Sequence, residues 1–498
     1  MRAIIFWLLA LSLSFTLAAC RSVMPPADHA PPPLWAGDSV LRVTVTSQGY
    51  HFHRPWQQRR PVTRRAIGVI VPDGRVLVTG LLVANARYIE LETIDTREKH
   101  RASVDVVDYE ANLALLKPEN PEFLAGRHPL PLAKREVTAG DDLTIWQVKP
   151  NGDIISSIGQ VISIEMNAYT QGNYFLTYRL SNSLQYRFDN LTLPVVRGRT
   201  LAGLVLPSND AGQTIDVIAA PVISHFLEDA RGVTYQGFPL AGFRYGPTLD
   251  PQLRRYISLP DDRSGIYIQK VIKGGPSGRA GLKAGDVVTH IAGTEISNTG
   301  QFDHPTYGQT SLSHLIRTQH FVDDTVKMRI FRNGETITLD VQLDHRQPDE
   351  YLVPPYIIDQ APRYQIVGGL VFQELSMSYL REYGKNWHSR APVHLLYYNQ
   401  NQDYLNGDQR EKIVIISGII PTSYTIGYEQ LANLVVTKIN GKPIGKLADI
   451  MPALDHPLDG FHKIEVEQHP NVIFLDPEEL ESIHDVIRQR YRIPVQTP

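Results

Sequence analysis

The chain has 498 residues, enough for about three domains at roughly 100–200 residues each. Its composition, 42% apolar and 20% charged, excludes wholesale disorder and fibrous repeats. Lys plus Arg number 49 and Asp plus Glu 52, and the net charge of −3 argues against nucleic-acid binding driven by bulk positive charge. The single cysteine excludes an intrachain disulfide or a CxxC zinc site, and no cofactor or metal is expected. Plentiful Gly, Pro and Tyr point to many short strands and turns.

Residues 1–19 read as a secretory signal. Arg2 precedes the apolar stretch Ala3 to Phe15, which meets small residues at Ala18 and Ala19 and is too short for a comfortable membrane span. Leu17-Ala18-Ala19-Cys20 resembles the bacterial lipobox, which implies cleavage before Cys20 and lipid on its thiol. A free or buried thiol behind a cleavable signal is the alternative. Residues 20–38 form a tether holding Pro25, Pro26, Pro31, Pro32 and Pro33. In polyproline form the steps from Cys20 to Leu34 reach roughly 43 Å. Arg21, rather than Asp, follows the cysteine. In Gram-negative lipoproteins that implies sorting to the outer membrane, so a lipid-anchored periplasmic protein is expected.

Residues 39–236 alternate as short strands: Val40–Thr46, Ala66–Val71, Arg75–Thr79, Arg87–Glu92, Ala102–Asp108 and Leu113–Lys117. Pro72-Asp73-Gly74 predicts a tight hairpin. Helical periodicity is confined to Pro221–Asp229, so a closed barrel or sandwich is expected.

Three segments of this unit, AIGVIVPDGRVLVTGLLVA at 66–84, DYEANLALLK at 108–117 and FDNLTLPVVRGRTLAGLV at 188–205, resemble in this order the catalytic segments of Deg/HtrA serine proteases. The first is similar to the segment that ends in Thr-Asn-x-His-Val; Thr79 is kept, and the histidine falls on Leu82. The second is similar to the aspartate segment, with the aspartate falling on Asn112. The third matches the nucleophile segment, held in register by Pro194 and Gly203, and the serine falls on Leu191. Asp189 occupies the oxyanion position, where the family has glycine. The pattern is similar to the plant Deg proteases with two PDZ-like domains, which implies a mainly β chain: a chymotrypsin-like double β-barrel followed by two α+β PDZ-like domains.

Acyl transfer by serine needs a hydroxyl, an imidazole and an orienting carboxylate, and Leu82, Asn112 and Leu191 supply none of them. A carboxylate at 189 repels a developing oxyanion, and a side chain there disfavours the positive φ open to glycine. The expectation is loss of peptidase activity; an endopeptidase with relocated catalytic residues is the alternative. His51 and His53 share a strand face but lack a third ligand and read as solvated, as does His100 in a polar turn. Ser181 and Ser183 lack a motif. The basic run Arg59-Arg60-Pro61-Val62-Thr63-Arg64-Arg65 reads as a solvated loop, with attraction to anionic lipid headgroups as the alternative.

Residues 237–347 carry Pro276-Ser277-Gly278-Arg279-Ala280-Gly281-Leu282-Lys283-Ala284-Gly285-Asp286-Val287-Val288, which resembles a PDZ core. Tyr256, Ile257, Ser258 and Leu259 match the carboxylate-capturing loop, with Ser258 in place of glycine. Strand addition is expected beside Gly265–Ile268, including Ile266 and Ile268, against a helix at Ser311–Gln319 presenting Leu312, Leu315 and Ile316. Residues 348–498 repeat the plan loosely, with Val367–Phe372 as loop and strand and a last helix opened by Asp476-Pro477-Glu478-Glu479. The resemblance implies an oligomer, trimer or hexamer. Its expected partners are unfolded or extended peptides, the membrane through the lipid, and an active protease, with a scaffold or chaperone-like role.

Overall fold

A computed structural model describes residues 36–148, 153–169, 171–181, 192–206, 214–405 and 410–493. The first unit is a closed barrel of β1 (Val40–Ser47), β2 (Val62–Ile70), β3 (Val76–Val78), β4 (Ala86–Thr93), β5 (Lys99–Asp108) and β6 (Leu113–Pro118), in the order β1-β2-β3-β6-β5-β4. Alternation drives it: Val43 and Val45 of β1 point inward and are fully buried, while Arg42 faces outward to Glu92 at 2.5 Å. The expected hairpin at Pro72–Gly74 joins β2 to β3, with Val71 N–H donating to Arg75 O at 2.9 Å.

A second closed barrel follows, with β7 (Asp142–Val148), β8 (Ile154–Ala168), β9 (Tyr174–Ser181), β10 (Pro194–Arg197), β11 (Thr200–Val205) and β12 (Thr214–Ala219) in the order β10-β11-β12-β9-β8-β7. Gly203 is needed here for close approach, since a Cβ would lie 2.4 Å from Val217 Cγ1 and 2.5 Å from Ile218 O. The helix Ala220–Asp229 closes this unit and buries Val222, Ile223 and Phe226 in a core continuous with Ile67, Leu77 and Leu113 of the first barrel. The second barrel therefore shares its core with one side of the first, while Leu41, Val43, Val45 and Leu91 form a separate core inside the first barrel.

The third unit is a sheet of β13 (Phe243–Pro247), β14 (Ile266–Val271), β15 (Val287–Ile291), β16 (Thr294–Glu295), β19 (Thr325–Arg332) and β20 (Glu335–Gln342), with a separate hairpin of β17 (Gln301–His304) and β18 (Gly308–Ser311). Its helix Leu312–Arg317 is capped by Ser311, whose Oγ accepts from Ser313 N, and Leu312, Leu315 and Ile316 join the core. The fourth unit carries β21 (Tyr364–Val367), β22 (Leu370–Glu374), β23 (Val414–Ile419), β24 (Leu434–Ile439), β25 (Lys442–Pro443), β26 (His462–Val466) and β27 (Val472–Leu475). A turn capped by Asp476 leads into its last helix, Leu480–Tyr491, which buries Ile483 and Ile487.

Polar contacts, one of them a buried ion pair, tie the units together. Arg317 Nη2 donates to Glu110 Oε2 of the first barrel at 2.6 Å, both side chains nearly inaccessible. Asp359 accepts from Tyr109 Oη and, at 2.6 Å, from Asn85 N. Among the described residues no helix is long and apolar enough to cross a membrane.

Candidate functional site

β3 runs into Thr79 and then a single turn, Gly80–Val83. This turn sits directly against the 108–113 loop: a Cβ on Gly80 would lie 3.1 Å from Asp108 O and 3.4 Å from Leu113 N. Leu82 is fully buried in the apolar core of the first barrel. Asn112 is also fully buried and adopts φ +56°, a left-handed conformation that asparagine tolerates. Its Oδ1 accepts from Leu81 N at 2.9 Å, and its Nδ2 is buried with no hydrogen-bond partner.

The third segment meets the same place. Thr192 is fully buried; its Oγ1 accepts from Thr79 N at 3.0 Å and lies 2.6 Å from Thr79 Oγ1. Ile67 N also donates to Thr192 O at 3.3 Å. Thus the turn carrying Leu82, Asn112, and the residue that follows Leu191 are gathered across the barrel junction. Leu191 and Asp189 themselves lie outside the described residues, as do Cys20 and Ser183. At this locus the chain offers a leucine, a carboxamide locked onto a backbone N–H, and a threonine pair bonded to each other. None of these is a base that could take a proton from a hydroxyl.

The other polar candidates have structural partners. His53 packs between the Tyr379 and Tyr383 rings at 4.6 and 4.8 Å, and burial lowers its pKa. His100 lies 2.6 Å from Glu98 and against Phe123. Ser181 Oγ accepts from Gln160 N at 2.9 Å.

The structure corrects the expected peptide groove of the third unit. β14 is paired with β13 on one side and β15 on the other, so Ile266 and Ile268 have no free edge, and both are fully buried. Tyr256 ends the helix Pro251–Tyr256 and is exposed. Ser258 (φ +54°) lies in the turn after that helix, and Ile257 and Leu259 pack toward Val287 and Phe331. The edge strand is β13, paired only with β14. It lines a cleft of about 430 Å³ with Leu312, Ser313 and Ile316 of the helix. The loop leading into it is Ala241-Gly242-Phe243, in which Gly242 has φ +78° and a Cβ would lie 3.0 Å from Pro276 Cδ.

Sequence reasoning misses this segment because Ile257-Ser258-Leu259 stands closer to the next apolar run. Gly242 between Ala241 and Phe243 is the available signal. The cleft is hemmed in from the fourth unit. Arg244 Nε donates to Asp403 Oδ2 at 2.8 Å, and Arg346 Nη1 donates to Asp403 Oδ1 at 3.2 Å. In the fourth unit, likewise, β22 is paired on both sides and β21 is the edge.

Two adjoining closed six-stranded barrels define the chymotrypsin-like double barrel, here followed by two smaller α+β sheets. Residues 256–343 and 353–497 each match a PDZ domain. The chain is 27% identical over 469 residues to Protease Do-like 2, chloroplastic, of Arabidopsis thaliana, covering 92% of this chain and 74% of the relative. Protease Do-like 4, mitochondrial, of the same plant is 22% identical over 464 residues, covering 92% and 85%. The Periplasmic pH-dependent serine endoprotease DegQ of Escherichia coli (strain K12) is 25% identical over 379 residues, covering 68% and 77%. A solved variant of the HtrA-type protease AlgW with decapeptide superposes with a TM-score of 0.50 at 16% identity, over 63% of this chain and 98% of that one, a likeness of fold. The chain is a Deg/HtrA-type serine protease homologue with two PDZ domains.

Proposed function

We propose that this protein is a catalytically inactive, membrane-anchored member of the Deg/HtrA group, a peptide-binding scaffold or chaperone-like factor in the cell envelope that works beside an active protease. The observation that carries this reading is Leu82: a fully buried leucine on the turn after Thr79, where the family places its imidazole. Asn112 supports it, because its only acceptor is occupied by Leu81 N and it brings no negative charge to hold an imidazolium. Leu82 has exchanged proton transfer for packing, at about 25 cal/mol of stabilisation per Å² of apolar surface removed from water.

Extended peptides would add as a strand to the free edge of β13, with the helix Leu312–Arg317 forming the other wall. The loop glycine is present as Gly242, so a free peptide C terminus contributes to binding. The anchor would be lipid on Cys20, at the periplasmic side of the outer membrane.

Incubation with unfolded casein and a serine-directed fluorophosphonate probe tests the inactivity. Loss of the nucleophile or base costs about 10⁶ in kcat in serine proteases, so neither cleavage nor labelling is expected. Labelling abolished by changing one particular serine would establish the endopeptidase reading instead. The combined change Leu82→His, Asn112→Asp, Leu191→Ser is expected to leave the protein inactive, because Asp189 still opposes an oxyanion.

A further inference from the structure

The cleft beside β13 already holds a carboxylate of the chain itself. Asp403 lies near the end of the helix Val393–Leu405 in the fourth unit and lines the 430 Å³ cleft together with Gly242 and Ile316 of the third. Its side chain is buried between two arginines. Oδ2 accepts from Arg244 Nε at 2.8 Å, with Arg244 Nη2 at 2.7 Å, and Oδ1 accepts from Arg346 Nη1 at 3.2 Å. One residue on, the Tyr404 ring lies 5.8 Å from Lys270 Nζ of β14. The end of this helix therefore meets the β13 side of the third unit at two successive residues.

The two arginines differ. Arg244 stands on the edge strand at the rim, with its side chain 62% exposed. Arg346 is fixed without help from Asp403: its Nη2 donates to Glu350 O at 3.1 Å, and its guanidinium lies 3.9 Å from the Tyr351 ring centroid. It lines both the cleft and a smaller pocket of about 200 Å³, and Leu240 and Gly242 line both with it, so Arg346 stands beside the loop that opens β13. The neighbouring carboxylates are engaged elsewhere: Glu110 by Arg317, Asp344 by Arg279 at 3.1 Å and Glu350 by Gln347 N at 2.7 Å. A guanidinium held in place next to a glycine loop, at the head of an open strand edge, is a receptor for a carboxylate. A peptide C terminus captured at that loop brings its carboxylate to Arg346. We propose that Asp403 occupies the place of a peptide's terminal carboxylate at Arg346, and that a peptide with a free C terminus binds by displacing it. This rests on the peptide-binding reading of the cleft. On displacement Arg346 exchanges one carboxylate for another, so its charge is never left buried alone, while Asp403 passes to water. The fourth unit thereby sets the apparent affinity, because only molecules with Asp403 withdrawn are competent to bind.

The test titrates the full chain against fluorescent probes: a randomised decapeptide pool with free C termini, and the same pool amidated. Asp403→Asn keeps the shape of the side chain and removes its charge. It should raise the affinity for the free pool about tenfold and leave that for the amidated pool unchanged. Adding Arg346→Gln to Asp403→Asn should abolish the preference for free C termini, with no carboxylate of the pair left unpartnered. Arg244→Gln, at an exposed side chain, keeps the fold and should give a smaller gain for the free pool; it decides the matter if Asp403→Asn does not fold. An unchanged or lower affinity in folded Asp403→Asn, an equal gain for the amidated pool, or a preference for free C termini that survives the loss of Arg346 would overturn the proposal, while binding by the wild-type chain left the peptide-binding reading standing. Binding of neither pool, by the wild-type chain or by Asp403→Asn, would overturn both.

Discussion

Replacing Arg317 by alanine probes how the first PDZ domain is fastened to the barrel. Arg317 reaches Glu110 at 2.6 Å with side-chain exposures of only 7% and 4%, donates to Asn173 Oδ1 at 3.0 Å, and stacks over Phe175 at 4.4 Å. Removing one partner of a buried pair costs about 3–5 kcal/mol, because the other charge stays buried and uncompensated. Here the survivor is Glu110. Burial pushes its carboxyl above the ordinary range, Arg317 opposes that shift, and Asp108 adds to it. Without Arg317 the folded-state pKa rises further above the unfolded one. Folding then takes up a proton, so the stability linked to it is present below the unfolded pKa and is lost as pH rises through the folded value. The deficit in Arg317→Ala is therefore largest at neutral pH and shrinks on acidification, by about 1.4 kcal/mol for each tenfold difference between the folded and unfolded acidity constants of the carboxyl. Denaturant midpoints of the transition that releases the domain, measured near pH 7 and near pH 5, give the comparison. Glu110→Gln with Arg317→Met should cost less than Arg317→Ala alone, since no charge is left behind. An equal loss at both pH values, or a loss below about 1 kcal/mol at pH 7, would refute the account.

His314 is nearly inaccessible beside His304, and burial lowers its pKa to about 4. Its neutral form is the stable one, so this contribution is present above about pH 6.5 and is lost as pH falls toward 4; His314→Gln should flatten the acid limb of a melting-temperature profile. Gly242→Ala places a Cβ 3.0 Å from Pro276 Cδ at φ +78°. A left-handed alanine costs about 1–2 kcal/mol, and fluorescence anisotropy with an extended peptide should register weaker binding. Cys20→Ser should move the protein from the membrane to the soluble fraction, and unchanged fractionation would remove the anchor from the proposal. With residues 1–38 deleted, sizing should return a trimer or larger assembly, and a clean micromolar monomer would contradict it.

The sequence alone determined the class of fold. Alternation of apolar residues in β1, the Pro72–Gly74 turn and the run at 113–117 specify barrel strands through local rules, and the glycines and apolar residues at 276–288 mark the PDZ core by spacing. It also carries, through the resemblance of three segments, the proposal that Leu82, Asn112 and Leu191 stand at the three motif positions. What only the tertiary structure decided is which strand has an open edge. Ile266 and Ile268 have the composition of a groove strand, but pairing on both sides consumes their backbone groups, and such pairing is a property of the whole sheet. β13 is unpaired on its outer side because the chain ends its ladder there, a fact no window of sequence contains. The links between Arg317 and Glu110, and between Arg244 and Asp403, join residues 207 and 159 positions apart. A charge in the sequence shows its sign, whereas its partner and its distance from water are set only when the domains meet.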